Sequence, residues 1–260
     1  MEPAFLVFLS FLPFSGTHIG LGLEPVRGRL VERFGERGFV NVFSVVATLT
    51  FAVWVATTAA VRSQGLPGLG LTHHPGFRIG AIFLIGLGFV LGAGSLASYA
   101  RSPMALFSNV VREPRGVERV SRHAFFAGVA LFAVGHVLLA PTLAAATFFA
   151  ALTLHATLGA WAQDRKLLAR LGAPYRGYVE QTSAVPFAAV ALGRQPFAAR
   201  EQPWVAYSIG LLLALLLREA HAHLFDYYGA WIIGSVVVGG AVATWSAERA
   251  QRRERSLRHA

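Results

Sequence analysis

The residues best suited to chemistry in this chain are its nine histidines, because it contains no cysteine. Without a thiolate there is no disulfide, iron–sulfur cluster or thiol nucleophile, so any metal must be held by His, carboxylate, Met or Tyr. His18, His123, His136 and His155 fall within or at the ends of long apolar runs. An ionisable side chain at bilayer depth is costly unless paired or liganded, which makes each a functional candidate. The plain alternative is a neutral imidazole hydrogen-bonded to a neighbouring helix. Helix bundles build metal and haem sites from facing side chains, and with thiolates absent the expected metal centre is haem b on two histidines. Depth separates the possible pairs. His18 lies about five residues from the inner end of its run, His155 about seven and His136 about fourteen. His18 and His136 thus differ in depth by roughly 13 Å, whereas His18 and His155 match. His123 sits at the cytoplasmic edge of its run, where interfacial anchoring is expected ahead of a haem-propionate or substrate role.

Such histidines need elements that hold them at depth. Of the 260 residues, 55% are hydrophobic and 14% charged, and the mean hydropathy is +0.53, far too apolar for a solvated surface. Seven apolar runs, at 4–23, 39–61, 77–100, 122–140, 141–162, 203–224 and 229–246, approach the ~20 residues that a helix needs to cross a bilayer. The expected fold class is all-α, a polytopic transmembrane helical bundle of about seven spans. The first run has no basic cluster before it and ends in Leu23-Glu24-Pro25, so it reads as a retained span and not a signal peptide. Lys and Arg gather on the cytoplasmic side of membrane proteins. All but Arg62, Arg78 and Arg218 of the 23 basic residues fall in the gaps after spans one, three, five and seven. The N-terminus is therefore expected outside and the C-terminus in the cytoplasm, in the inner membrane of a bacterium. This topology and anionic lipid account for the formal charge of +10, so nucleic acid is not an expected partner.

Between the spans, residues 25–38 intersperse Val26, Leu30, Val31 and Phe34 with charges, the pattern of an interfacial amphipathic helix. Segment 163–202, with Tyr175, Tyr178, Pro186 and Pro196, is the largest cytoplasmic element and the expected lid or partner surface. Loop 62–76, rich in Gly and Pro, reads as a flexible external connection. Arg218, Glu219, His221, His223 and Asp226 have metal-compatible types, but His at i and i+2 face apart on a helix. With Tyr227, Tyr228 and Trp231 they read as an outer interfacial anchor. Gly86, Gly88, Gly92 and Gly94 lack a preceding strand, so they signify close helix packing and not nucleotide binding. No nucleophile-elbow sequence is present.

Three stretches, in order, carry a family likeness. Arg119-Val120-Ser121-Arg122-His123 with Gly128 and Gly135-His136 comes first, then Leu158-Gly159-Ala160-Trp161 with Asp164-Arg165-Lys166-Leu167-Leu168. Gln181-Thr182-Ser183-Ala184-Val185-Pro186-Phe187 with Gly193-Arg194-Gln195 follows. They resemble the 15-cis-ζ-carotene isomerases and the wider NnrU membrane family. Thr17-His18-Ile19-Gly20-Leu21 resembles the start of the same domain, so the likeness covers roughly residues 5–200. The expected division is an NnrU-like membrane domain, 1–200, followed by two further spans and a basic tail, 203–260. The resemblance implies a membrane haem b enzyme that turns the central cis bond of a linear, apolar polyene to trans when its iron is reduced, which calls for an electron donor. It makes His18 and His136 the axial ligands and catalytic residues, with His155 an alternate ligand or supporting group. Arg122 and His123 complete the expected cofactor-binding set.

Two further readings stand beside this one. Other NnrU members are associated with denitrification and nitric oxide metabolism, which would make this chain a haem accessory or sensor protein. Arg122-His123, Leu171 to Tyr178 and Val185-Pro186-Phe187 also resemble the isoprenylcysteine-type membrane methyltransferases. In that case S-adenosylmethionine is the cofactor, Arg122, His123 and Tyr175 line it, Asp164 stands where glutamate is usual, and His136 has no task.

Overall fold

Apolar runs bounded by Pro, Gly and charge fold into ten α-helices among the residues described, 1–105, 108 and 110–258 of a computed structural model. They are α1 (Pro3–Gly20), α2 (Val26–Val61), α3 (Pro75–Ser98), α4 (Val117–Val120) and α5 (Ala124–Leu139), then α6 (Leu143–Leu171), α7 (Ala173–Gln181), α8 (Ala188–Ala191), α9 (Trp204–Glu219) and α10 (Asp226–Arg258). Of the basic tail, the side chains of Arg253, Arg255 and Arg258 lie outside the described residues. No strand occurs among the described residues, which carry one isolated bridge between Pro67 and Thr142.

Among the described residues five helices are long and apolar enough to cross a membrane: Pro3–Gly20, Val26–Val61, Pro75–Arg101, Leu143–Leu171 and Asp226–Ser246. α5 and α9 have 16 residues each, about 24 Å of helix against about 30 Å of hydrocarbon. α5 stops where it does because Ala140 precedes Pro141 and adopts an extended conformation (ψ 123°). Thr142 then starts α6, its hydroxyl accepting the Ala145 N–H at 3.2 Å. The expected interfacial helix 25–38 runs on into the second span, interrupted only at Gly35 (φ +70°), a left-handed conformation that glycine adopts freely.

Loop 62–76 is not the free connection its composition suggests. The break at Pro141 leaves carbonyls without helical partners, and the loop supplies donors. Gly68 N–H donates to Pro141 at 3.0 Å and Gly70 N–H to Ala140 at 2.9 Å, while Leu143 N–H donates to Leu66 at 2.7 Å and the Thr142 hydroxyl to Arg62. Segment 163–202 likewise differs from a lid. Its first residues continue α6, and α7 buries Tyr175 and Tyr178 in a cluster with Leu167.

The helices pack in the spatial order α9, α3, α5, α6, α1, α2, α10. α9 and α10, which follow residue 203, thus pack on α3 and α2 of the preceding part. The main core joins Val7, Phe11 and Phe14 of α1, Trp54 and Val55 of α2, and Ala144, Phe148 and Ala151 of α6. α3 and α5 touch through glycine: a Cβ on Gly88 would stand 2.5 Å from the Gly128 carbonyl oxygen, and one on Gly128 would stand 2.6 Å from that of Gly88.

Candidate functional site

Phe11, Phe14, Ser15 and His18 recur at i, i+3, i+4 and i+7, so they share one face of α1. That face meets α6 at His155, itself only 8% exposed. The His18 and His155 ring centroids are 5.1 Å apart, and Ser15 Oγ lies 3.1 Å from His155 Nδ1. Phe14 stands 4.6 Å from the His155 ring and 5.3 Å from that of His18, with Phe43 4.9 Å from His18. Trp54 closes the wall, stacked on Phe14. The depth match read from the sequence is therefore realised as a contact between these two rings.

His136 is placed differently. Its Nδ1 lies 2.8 Å from the Phe132 carbonyl oxygen, and a carbonyl only accepts, so Nδ1 carries the proton and Nε2 the lone pair. The ring sits 4.4 Å from Phe149 of α6 and 6.1 Å from His221, nearly parallel to it. Phe149 and His155 are six residues apart on α6, about 9 Å along its axis and roughly 120° around it. The structure thus brings His18 to His155 and His136 to His221, and gives His136 no ring contact with His18. His221 was hidden in a cluster that reads as an interfacial anchor. Its signal was the i, i+2 spacing itself, which turns His221 towards α5 while His223 faces Asp226 at 2.9 Å.

The donor chemistry fits haem. His18 Nδ1 is buried with no hydrogen-bond partner, a deficit that a bound group would complete. The aromatic wall keeps water from the histidines. Among the described residues no group of three or more His, Cys, Asp or Glu side chains forms a metal cage.

Arg122 and His123 lie elsewhere, at the start of α5. Arg122 binds Asp164 through Nη2 at 2.7 Å and Nε at 3.1 Å, His123 Nε2 is 2.7 Å from Asp164 Oδ1, and the Tyr175 hydroxyl donates to the same oxygen at 2.7 Å. Burial, and then the hydrogen bond to Asp164, hold the Tyr175 phenol well above its ordinary pKa. Backbone bonds extend the clasp: Arg122 N–H to Ser183 O at 2.9 Å, Phe187 N–H to Val120 O at 2.8 Å, and Ser121 Oγ to Ala184 O at 2.8 Å. Asp164 and His155 are nine residues apart, about 13 Å along α6, so this hub is distinct from the histidine pair. The polar atoms of Arg122, His123 and Tyr175 named here are engaged within the chain, joining α5, α6 and α7.

A family model described as "NnrU protein" matches residues 6–228, past the expected boundary at 200 and through α9. The chain is 35% identical over 203 residues to "15-cis-zeta-carotene isomerase, chloroplastic" of Arabidopsis thaliana, covering 75% of this chain and 52% of that protein. It is 35% identical over 80 residues to the Zea mays protein of the same name, covering 31% of this chain and 22% of that protein. The chain thus spans about half the length of the first relative and less of the second. No solved structure matches it.

Proposed function

The chain belongs to the NnrU family, and on that premise we propose that it is a membrane haem b protein that isomerises a cis double bond of a linear polyene of the ζ-carotene kind. The observation that carries this reading is the His18–His155 contact inside an aromatic wall, in a chain that shares 35% identity over three quarters of its length with a protein bearing that isomerase name.

The chemistry such a group supplies when bound is an adjustable redox state and a Lewis-acidic iron able to weaken a π bond. The chain's own part is to hold, orient and exclude. His18 is the ligand common to both possible pairings. The ring contact supports His155 as its partner, with Ser15 orienting that imidazole, and the family resemblance names His136, which the Phe132 carbonyl holds with Nε2 available. Phe11, Phe14 and Trp54, buried in the main core, and half-buried Phe43 pack round the two histidines and make their surroundings apolar. An electron donor must supply the reduced state. The working topology is seven crossings, α5 and α9 included, with the N-terminus outside and the basic C-terminal segment on the cytoplasmic side of a bacterial inner membrane.

The test uses the purified full-length chain loaded with haem in detergent. Its reduced form should convert a 15-cis polyene to the trans product and its oxidised form should not. His18→Ala should abolish both the six-coordinate spectrum and turnover. Loss of six-coordination in His155→Ala but not in His136→Ala would select the first pair, and the reverse pattern the second. Haem binding without turnover in either redox state would leave an accessory protein, and S-adenosylmethionine binding without a Soret band would leave a methyltransferase.

A further inference from the structure

The segment between α7 and α9 buries its polar side chains and exposes its apolar ones. Thr182, Gln195 and Gln202 are buried and hydrogen-bonded. The Thr182 hydroxyl donates to the Tyr178 carbonyl at 2.6 Å, Gln195 accepts from Arg119 at 2.7 Å, and Gln202 donates to the Gly116 carbonyl at 3.1 Å. Val185, Phe187, Leu192 and Phe197 are exposed, Val185 to 64% and Leu192 to 70%. The Phe187 and Phe197 rings stand 6.4 Å apart on this outer side. Phe187 is held there in a left-handed conformation (φ 63°), which is costly for a bulky residue. From Ser183 to Arg200 the sequence has no acidic residue, and Arg194 and Arg200 are its only charges. Apolar side chains gathered on a surface and rimmed by polar groups mark a place that meets another apolar phase or a partner.

Two tethers fix where this patch lies. Arg122 N–H donates to the Ser183 carbonyl and Phe187 N–H to that of Val120, which holds 183–187 beside the start of α5. At its other end the segment runs into α9, whose Trp204 indole N–H donates to the Ala199 carbonyl at 2.8 Å. Trp204 is exposed, and Val205, Ile209, Leu212 and Leu216 share an exposed apolar face of that helix. The patch therefore lies level with the first turns of two helices read as crossings, and adjoins a surface that faces lipid on that reading. Each of these helices is about 24 Å long, roughly 6 Å short of the hydrocarbon it has to cross. An apolar segment packed at the ends of both makes up the missing thickness. A protein partner covering the patch would account for its apolar side chains but not for its place at the ends of two short helices.

We propose that residues 185–197 are inserted in the bilayer surface. Val185, Phe187, Leu192 and Phe197 lie among the acyl chains of the leaflet in which α5 and α9 begin, and Arg194 and Arg200 meet the lipid phosphates. The segment lengthens the apolar band of α5 and α9, and its buried polar side holds it to the protein. The proposal needs α5 and α9 to cross the membrane and is independent of haem.

Because the chain has no cysteine, a single introduced one is a unique labelling site. Val185→Cys and Leu192→Cys, both at exposed positions, are labelled with bimane and reconstituted as full-length chains in phosphatidylcholine–phosphatidylglycerol vesicles. Quenching by a nitroxide lipid, spin-labelled near its headgroup, is compared with quenching by iodide present on both sides. Leu212→Cys on α9 is the lipid reference, and Arg176→Cys, exposed on α7, is the aqueous one. The labels on Val185→Cys and Leu192→Cys should be quenched by the nitroxide lipid at least about half as strongly as the Leu212→Cys label, and by iodide far less than the Arg176→Cys label. Labels open to iodide and untouched by the nitroxide lipid overturn the proposal. Labels shielded from both assign the patch to a protein contact and overturn it as well. Iodide reaching the Leu212→Cys label rejects the crossing by α9 and this proposal together. The unsubstituted chain gives a second readout that no folding failure of a variant obscures. A lipid-soluble diazirine photolysed in the same vesicles should leave adducts on tryptic peptides 177–194 and 195–200, and adducts on 201–218 with none on those two overturn the proposal.

Discussion

At the residue scale, two groups of polar side chains do different work. Asp164 is a hub whose carboxylate satisfies a guanidinium, an imidazole and a phenol, with its side chain only 16% exposed. Asp164→Asn leaves the Arg122 guanidinium, 13% exposed, without its counter-ion. The expected cost is on the order of 3 kcal/mol, read as a lowered melting temperature in detergent. Tyr175→Phe removes one hydrogen bond to that carboxylate, costing about 1.5–3 kcal/mol at neutral pH. It also has an alkaline signature. Because the folded phenol's pKa is raised, its stabilising contribution is complete below about pH 10, where the unfolded phenol titrates, and is lost as pH climbs beyond that point. Tyr175→Phe should therefore lose less melting temperature than the parent between about pH 10 and about pH 11, and an equal loss would refute the assignment. The histidines were legible as functional candidates from residue type and depth. The methyltransferase resemblance grouped Arg122, His123, Tyr175 and Asp164 as a cofactor lining, but their mutual pairing on one carboxylate was not legible, because nothing in their spacing along the chain marks a common partner.

At the element scale, α6 is the spine. Phe149, His155 and Asp164 occupy successive levels on it, touching His136, His18 and the Arg122–His123–Tyr175 group in turn. Most helix limits followed from Pro, Gly and apolar run length, yet the two short helices were read several residues too long. Hydropathy does not register the carbonyl pairing that ties the 62–76 loop under Pro141. The α3–α5 seam depends on backbone approaching backbone, so the glycines expected to mean packing have a defined partner. Gly128→Leu should force those helices apart, costing about 1–3 kcal/mol by overpacking, and thermal unfolding in detergent measures it. Gly92→Leu, where an added Cβ meets nothing within 4 Å, serves as the control and should be far milder.

At the scale of the whole molecule, seven apolar helices pack in the order α9, α3, α5, α6, α1, α2, α10, and α10 also touches the turn Tyr99–Arg101 that continues α3. A reporter fused to the C-terminus should be active in the cytoplasm and silent outside, and one fused into the loop after Val61 should behave oppositely; the inverse pattern rejects the topology. Composition, run length and the bias of Arg and Lys determined by themselves that the chain is helical and membrane-embedded in character, and which histidines lie deep within it. Those properties are summed along the chain, so a linear reading captures them. Which histidine meets which, and what Asp164 binds, was decided only by the tertiary structure, because depth specifies a height along each helix but not its rotation or its neighbour. Those two quantities arise from side-chain packing between helices far apart in sequence.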